Sequence, residues 1–254
     1  MRSILPEMEE AIVYWLAYGT GYGLRGGNGM WYWIILGLSS GASWLVGHRL
    51  KSKFAKYSQM PIELSGREIA ERMLSENGIS DVQVISTPGR LTDHYNPKDK
   101  TVNLSEVVYH QRNVAAAAVS AHEVGHALQH AKAYSFLTMR SKMVPVVSLA
   151  SRMMGVITMI SMFGAILTGN TWLLGLVVIA LGVTTLFAFV TLPVEFDASK
   201  RALSWFNASG QAGSMGQSQA KDALFWAAMT YVVAALASLA QLVYYVFRML
   251  KGRR

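Results

Sequence analysis

The sequence predicts a mostly α-helical integral membrane protein, with about four transmembrane helices and a small α+β domain inserted after the first. Three observations carry that expectation. Apolar residues make up 52% of the 254 positions and charged residues only 15%, against about 25% charge in a soluble domain. The shortfall is concentrated in long apolar runs. Between the first and second clean runs lies a stretch with helix caps, strand-like alternation and turn residues, as a water-facing domain has.

Residues 1–29 form an N-terminal extension, with Glu7, Glu9 and Glu10 ahead of a Gly- and Tyr-rich piece. It lacks a positive n-region and a small-residue cleavage site, so it is a poor signal peptide and reads as an interfacial segment or an artefact of an early start codon. The first transmembrane helix is expected over 30–48, with Trp31–Gly47 as its apolar run and Arg49, Lys51, Lys53 and Lys56 directly after it. A domain follows over 49–144. In it, Ser65-Gly66-Arg67-Glu68 opens a helix that Asn77-Gly78 ends. Val82, Val84 and Ser86 alternate as a strand, and Leu91–Tyr95 and Thr101–Leu104 flank a hairpin turn at 96–100. Ser105 with Glu106 starts a helix, and an alanine-rich helix covers about Asn113–Lys132. Two transmembrane helices are expected within 145–194, with runs Met153–Thr168 and Trp172–Leu192 around the turn Gly169-Asn170. Pro193 marks a break, a polar loop covers 195–222, and a last transmembrane helix and basic tail cover 223–254, with its apolar run at Ala223–Phe247. Trp31, Trp33, Trp172, Tyr244 and Tyr245 fit an interfacial aromatic belt.

Composition excludes several chemistries. There are no cysteines, so disulfides, thiolate metal sites and a cysteine nucleophile are out, and any metal must be held by His, Asp or Glu. The net charge of +8 invites a nucleic-acid reading, but the basic residues gather beside apolar runs as membrane flanks do, and no nucleic-acid partner is expected. The domain-side flanks hold Arg49, Lys51, Lys53, Lys56, Arg140, Lys142, Arg152, Lys200 and Arg201; the opposite side holds Arg2, Arg25, Arg248, Lys251, Arg253 and Arg254. The larger domain-side count places the domain in the cytoplasm of a bacterial cell, against the sign of the C-terminal tail.

The chemistry-bearing motif is His122-Glu123-Val124-Gly125-His126. His122 and His126 lie four apart on the expected helix, on one face and about 6 Å apart along its axis, where two imidazoles grip one Zn²⁺. Glu123 is turned aside by about 100°, which suits a general base acting on a water that zinc has acidified toward a pKa of about 7. HExxH arises by chance about once in a hundred chains of this length and average composition; an ionisable triplet between the apolar flanks Val114–Ser120 and Ala127-Leu128 is costly without a function. For the third ligand, His130 lies about 12 Å up the axis from His122, beyond one metal's reach, and Lys132 stands where the third His of a metzincin would be. Glu195, the first acidic residue after the motif, is the better candidate; its bland alternative is a helix N-terminal carboxylate favoured by the helix dipole. Thr101–Leu104 is either an ordinary hairpin strand or the edge strand that would pair with a substrate backbone. His94, Tyr95, Tyr109, His110 and Arg201 are candidate oxyanion or outer-shell partners, each more often a structural polar residue.

Leu91-Thr92-Asp93-His94-Tyr95-Asn96-Pro97, Val102-Asn103-Leu104-Ser105, the HEVGH segment Ala121–Ala127, and Thr191-Leu192-Pro193-Val194-Glu195-Phe196-Asp197-Ala198-Ser199 together resemble the YugP-like family of membrane zinc metallopeptidases, from about Trp31 to Arg248. The resemblance implies a zincin-like catalytic domain, zinc on His122, His126 and Glu195, and Glu123 as the catalytic residue. A more distant resemblance is to the HtpX and CAAX prenyl protease group, whose Glu-Phe-x-Ala-Asp element ends in a carboxylate; here Ser199 stands in its place, and Asp197 points elsewhere on a helix.

The expected function is therefore a membrane-bound, gluzincin-like zinc metalloendopeptidase acting on protein or peptide substrates, with the lipid bilayer as its other partner. The alternative is a zinc-stabilised, non-catalytic membrane scaffold or adaptor, which would have no need of Glu123. A site-2-type intramembrane protease needs a later Asp-Gly pair that this chain lacks, and a transporter would carry charges in mid-span.

Overall fold

The computed structural model describes residues 29–163, 171–210 and 213–251. The chain is mostly helical. In chain order it forms α1 (Gly29–Tyr57), α2 (Gly66–Glu76), β1 (Gln83–Thr87), β2 (His94–Asn96), β3 (Thr101–Ser105), α3 (Glu106–His110), α4 (Val114–Ala131), α5 (Ser135–Phe163), α6 (Thr171–Ser209) and α7 (Gly213–Lys251). The N-terminal extension, up to residue 28, and the turn Gly169-Asn170 lie outside the described residues.

The chain divides into two compact units. One contains Val46–Thr138 and Leu192–Thr230. Its elements start where local chemistry starts them. The Ser65 hydroxyl accepts from the Glu68 amide at 3.3 Å while the Glu68 carboxylate accepts from the Ser65 amide at 2.7 Å, a reciprocal cap that opens α2. Asn113 caps α4 by accepting from the Ala116 amide at 2.8 Å. A three-stranded sheet has the order β1-β3-β2. β1 runs parallel to β3, pairing Gln83 with Thr101 through Thr87 with Ser105. β2 runs antiparallel, pairing His94 with Asn103 and Asn96 with Thr101. Thr101–Leu104 is therefore part of the central strand, paired on both sides, and not an edge; β1 and β2 are the two edges, and β2 packs against α4.

The core of this unit gathers Ile69, Met73 and Leu74 of α2, Val102 and Leu104 of β3, the alanine face of α4 and Ala202, Trp205 and Phe206 of α6. The alanines matter because small side chains let α4 sit close to its neighbours. Trp205 Nε1 donates to Glu76 at 2.6 Å, tying α6 to α2. Lys53 lies 2.8 Å from Asp222, which also accepts from the Tyr57 hydroxyl, tying α1 to α7.

The loop expected over 195–222 is helical at 195–209 and again from Gly213. α6 runs through Pro193 without ending. Its buried positions Val194, Ala198, Ala202, Trp205 and Phe206 recur at helical spacing, so burial of that stripe outweighs the lost proline hydrogen bond.

Among the described residues, the second unit contains 29–45, 139–163, 171–191 and 231–251. Tyr32, Met154, Ile157, Val177, Leu181 and Tyr245 form its core, while Leu38, Trp44, Leu149, Ile179, Leu236 and Phe247 are exposed. Among the described residues, two helices are long and apolar enough to cross a membrane, Trp172–Ser209 and Gly216–Lys251. Of the other two expected spans, α1 is diluted by Trp31, Tyr32, Trp33, Ser39, Ser40 and Ser43. Met153–Thr168 extends beyond Phe163 into residues that are not described, and α5 carries Arg140, Lys142 and Arg152 ahead of Met153.

Candidate metal centre

His122 and His126 stand one turn apart on α4, their rings 4.8 Å apart and nearly perpendicular. Their Nε2 atoms both face one oxygen of Glu195, at 3.3 Å from His122 and 3.6 Å from His126. In a tetrahedral site with bonds of about 2.0–2.1 Å, neighbouring ligand atoms are about 3.3 Å apart. The donor set fits a zinc ion in number and chemistry, and the two nitrogen–oxygen separations fit its spacing. Among the described residues, these three are the His, Asp or Glu group close enough to share an ion. Glu195 is 2% exposed, and a carboxylate is rarely buried without a cationic or metal partner.

Glu195 reaches the histidines because α6 passes very close to α4. A Cβ built on Gly125 would lie 2.5 Å from the Ala198 carbonyl oxygen. The glycine of HEVGH is thus a crossing point, a role that motif spacing alone did not disclose. Gly125→Ala must push the helices apart, and overpacking of this kind costs about 1–3 kcal/mol. We expect that variant to bind zinc more weakly and to unfold at lower temperature than the parent; equal zinc affinity, measured by competition with a chelator, would contradict the close crossing.

Glu123 lies off the face that carries His122 and His126, half-buried. Burial pushes its carboxyl up to about 7, and the nearby carboxylates Asp93 and Glu195 push the same way; His122 and the Tyr95 backbone amide pull it down. The amide contact comes from β2, so the edge strand is turned toward Glu123. Asp93 is itself held by Ser105, whose amide donates to it at 2.7 Å and whose hydroxyl donates at 3.0 Å. Burial nonetheless raises the Asp93 carboxyl above its ordinary range.

The outer contacts include Arg201, one of the expected candidates, and others outside that set. His122 Nδ1 lies 3.1 Å from the Ser199 hydroxyl. His126 Nδ1 lies 3.0 Å from Oε1 of Gln129, a residue the sequence reading passed over. Gln129 Nε2 donates to the Val194 carbonyl at 2.7 Å and to Asp197 at 2.9 Å. Asp197, expected to point elsewhere, is thus joined to His126 through one side chain, and Arg201 donates to the same Asp197 oxygen at 2.6 Å.

The remaining candidates divide. His130 stands apart from the group of His122, His126 and Glu195, its Nδ1 2.8 Å from the Tyr95 hydroxyl. His94 Nδ1 faces the Thr92 carbonyl at 2.7 Å. Tyr109 packs under the Arg67 guanidinium and against His110; those contacts are structural. Arg201 sits 6.0 Å from the Tyr134 ring centroid and belongs to the outer network.

Comparison with known proteins adds independent findings. A family model described as "Putative neutral zinc metallopeptidase" matches residues 32–250. The chain is 41% identical over 215 residues to a protein of Bacillus subtilis (strain 168) named "Putative membrane protease YugP", a match covering 84% of this chain and 94% of that one. No solved structure matches the chain significantly.

Proposed function

The chain belongs to this neutral zinc metallopeptidase family, and from that premise we propose that it is a membrane-bound zinc metalloendopeptidase, with His122, His126 and Glu195 as the zinc ligands and Glu123 as the general base. The observation that carries the reading is the convergence of two Nε2 atoms on one buried carboxylate oxygen at tetrahedral spacing, beside an acid that is not part of the cluster. Zinc in such a site acidifies water and polarises a carbonyl.

The chain's own residues supply the rest. Glu123, with its carboxyl raised to about 7, is matched to accept a proton from the attacking water and return it to the leaving amine near neutral pH. The Tyr95 amide orients it. β2 is one of the two edges of the sheet and pairs only with β3 among the named strands, so an extended peptide added along its open side would lie next to Glu123 and bury its backbone polar groups in strand pairing. Its side chains would then alternate toward and away from the protein, which suits a segment of an unfolded protein.

Detergent-purified protein is expected to hydrolyse a generic unfolded protein. Activity should vanish with a chelator and return with added zinc. Hydrolysis untouched by thorough chelation would remove the zinc mechanism.

The same proposal places four helices in the membrane of a bacterial cell. The relative's name supports membrane association, and exposed Leu38, Leu149, Ile179 and Leu236 suit lipid better than water. The basic flanks put the catalytic domain in the cytoplasm. A reporter fused after Asn170 should behave as extracytoplasmic, and one inserted near Asn77 as cytoplasmic; the reverse pattern would overturn this orientation.

A further inference from the structure

Gln129 is fully buried on α4, three residues after His126 and on the same face. Its amide can be oriented in one way only. The two acceptors on its nitrogen side, the Val194 carbonyl at 2.7 Å and Asp197 at 2.9 Å, cannot donate: one is a backbone carbonyl and the other a carboxylate already taking the Arg201 Nε–H at 2.6 Å. Both N–H bonds of the amide are therefore committed to α6. Oε1 is left facing His126 Nδ1 at 3.0 Å. An amide oxygen only accepts, so Nδ1 must carry the proton. In neutral imidazole that leaves the lone pair on Nε2, the atom directed at Glu195.

We propose that Gln129 is a positioning residue that fixes the tautomer and ring orientation of His126 before any metal arrives, with Asp197 and Arg201 as the anchor that fixes Gln129. The proposal rests on the zinc reading for its purpose, though not for its geometry. The two histidines are treated differently. His122 Nδ1 meets the Ser199 hydroxyl, which rotates and can donate or accept, so that contact does not choose a tautomer by itself. The anchor also lies two residues from Glu195 on α6. The network therefore joins the helix that carries two ligands to the helix that carries the third.

The test compares Gln129→Leu, similar in shape without polar atoms, with Gln129→Glu, which keeps an acceptor toward His126 and loses both donors to α6. Each is read by nitrogen NMR of histidine-labelled, metal-free protein in detergent, with the His126 signals identified by their absence in His126→Ala, and by zinc affinity in chelator competition. In the parent, His126 should be protonated at Nδ1. In Gln129→Leu the two tautomers should mix and zinc affinity should fall by about 10–100-fold. In Gln129→Glu the Nδ1 proton should remain and zinc affinity should stay closer to the parent than in Gln129→Leu, although thermal stability drops. A purely structural strap predicts that His126 keeps its Nδ1 proton in Gln129→Leu, and that result would overturn the proposal. So would parent His126 with its proton on Nε2, a measurement that needs no variant to fold. If the parent binds no zinc while His126 still shows the Nδ1 proton, the zinc reading fails and the assignment of Gln129 stands.

Discussion

Glu123→Gln is expected to lose peptide hydrolysis by at least the roughly 10²–10⁴-fold that a positioned general base contributes, while folding and holding zinc as the parent does. The amide keeps the size of the side chain and much of its hydrogen bonding. It cannot take a proton from water, and it removes the one group near the cluster whose carboxyl burial raises to about 7. His122, His126 and Glu195 keep their mutual spacing without it. The variant therefore separates an enzyme from a zinc-stabilised scaffold. A scaffold predicts no difference between Gln and Glu in any readout. Parental rates of hydrolysis in the variant, or full function in cells that need the protein's activity, would defeat the peptidase reading.

Glu195→Gln is expected to lose zinc more severely than loss of any outer-shell partner, which costs about 10–100-fold in affinity. The Glu195 oxygen facing both Nε2 atoms is the only anionic donor in the cluster, and an amide oxygen in its place cannot neutralise the ion. The fold should survive, since Val194, Ala198 and Ala202 keep their buried stripe on α6. His130→Ala is the matching control. His130 is engaged with the Tyr95 hydroxyl at 2.8 Å, and its removal should leave zinc in place. Metal retained without Glu195, or lost without His130, would require a different third ligand.

Much of this was legible in the residues themselves. The reciprocal cap at Ser65 and Glu68, the cap at Asn113 and the hairpin around 96–100 are local devices, and local devices can be read from sequence. The i, i+4 histidines and the rotation of Glu123 follow from helix geometry alone. What was missed depends on distant neighbours. Strand order is one case: β3 becomes central only because β1 pairs with it in parallel across the intervening β2, a non-local event with no local signal. Gly125 is another, because its need for hydrogen in place of a methyl group appears only when Ala198 arrives from α6. The helix over 195–209 was hidden by Pro193 and by polar residues. The period of Val194, Ala198, Ala202, Trp205 and Phe206 was available and outweighs them. Gln129 could have been suspected as an uncharged polar residue three places beyond His126, but its orientation requires Val194 and Asp197 in place.

The most direct test of the central claim is the zinc content of the purified full-length protein together with X-ray absorption at the zinc edge. One zinc per chain is expected, surrounded by light atoms at about 2.0–2.2 Å with the scattering signature of two imidazoles. That signature should be lost in His122→Ala and in His126→Ala. A protein that hydrolyses its substrate with no bound metal, or whose zinc survives both histidine substitutions, would contradict it.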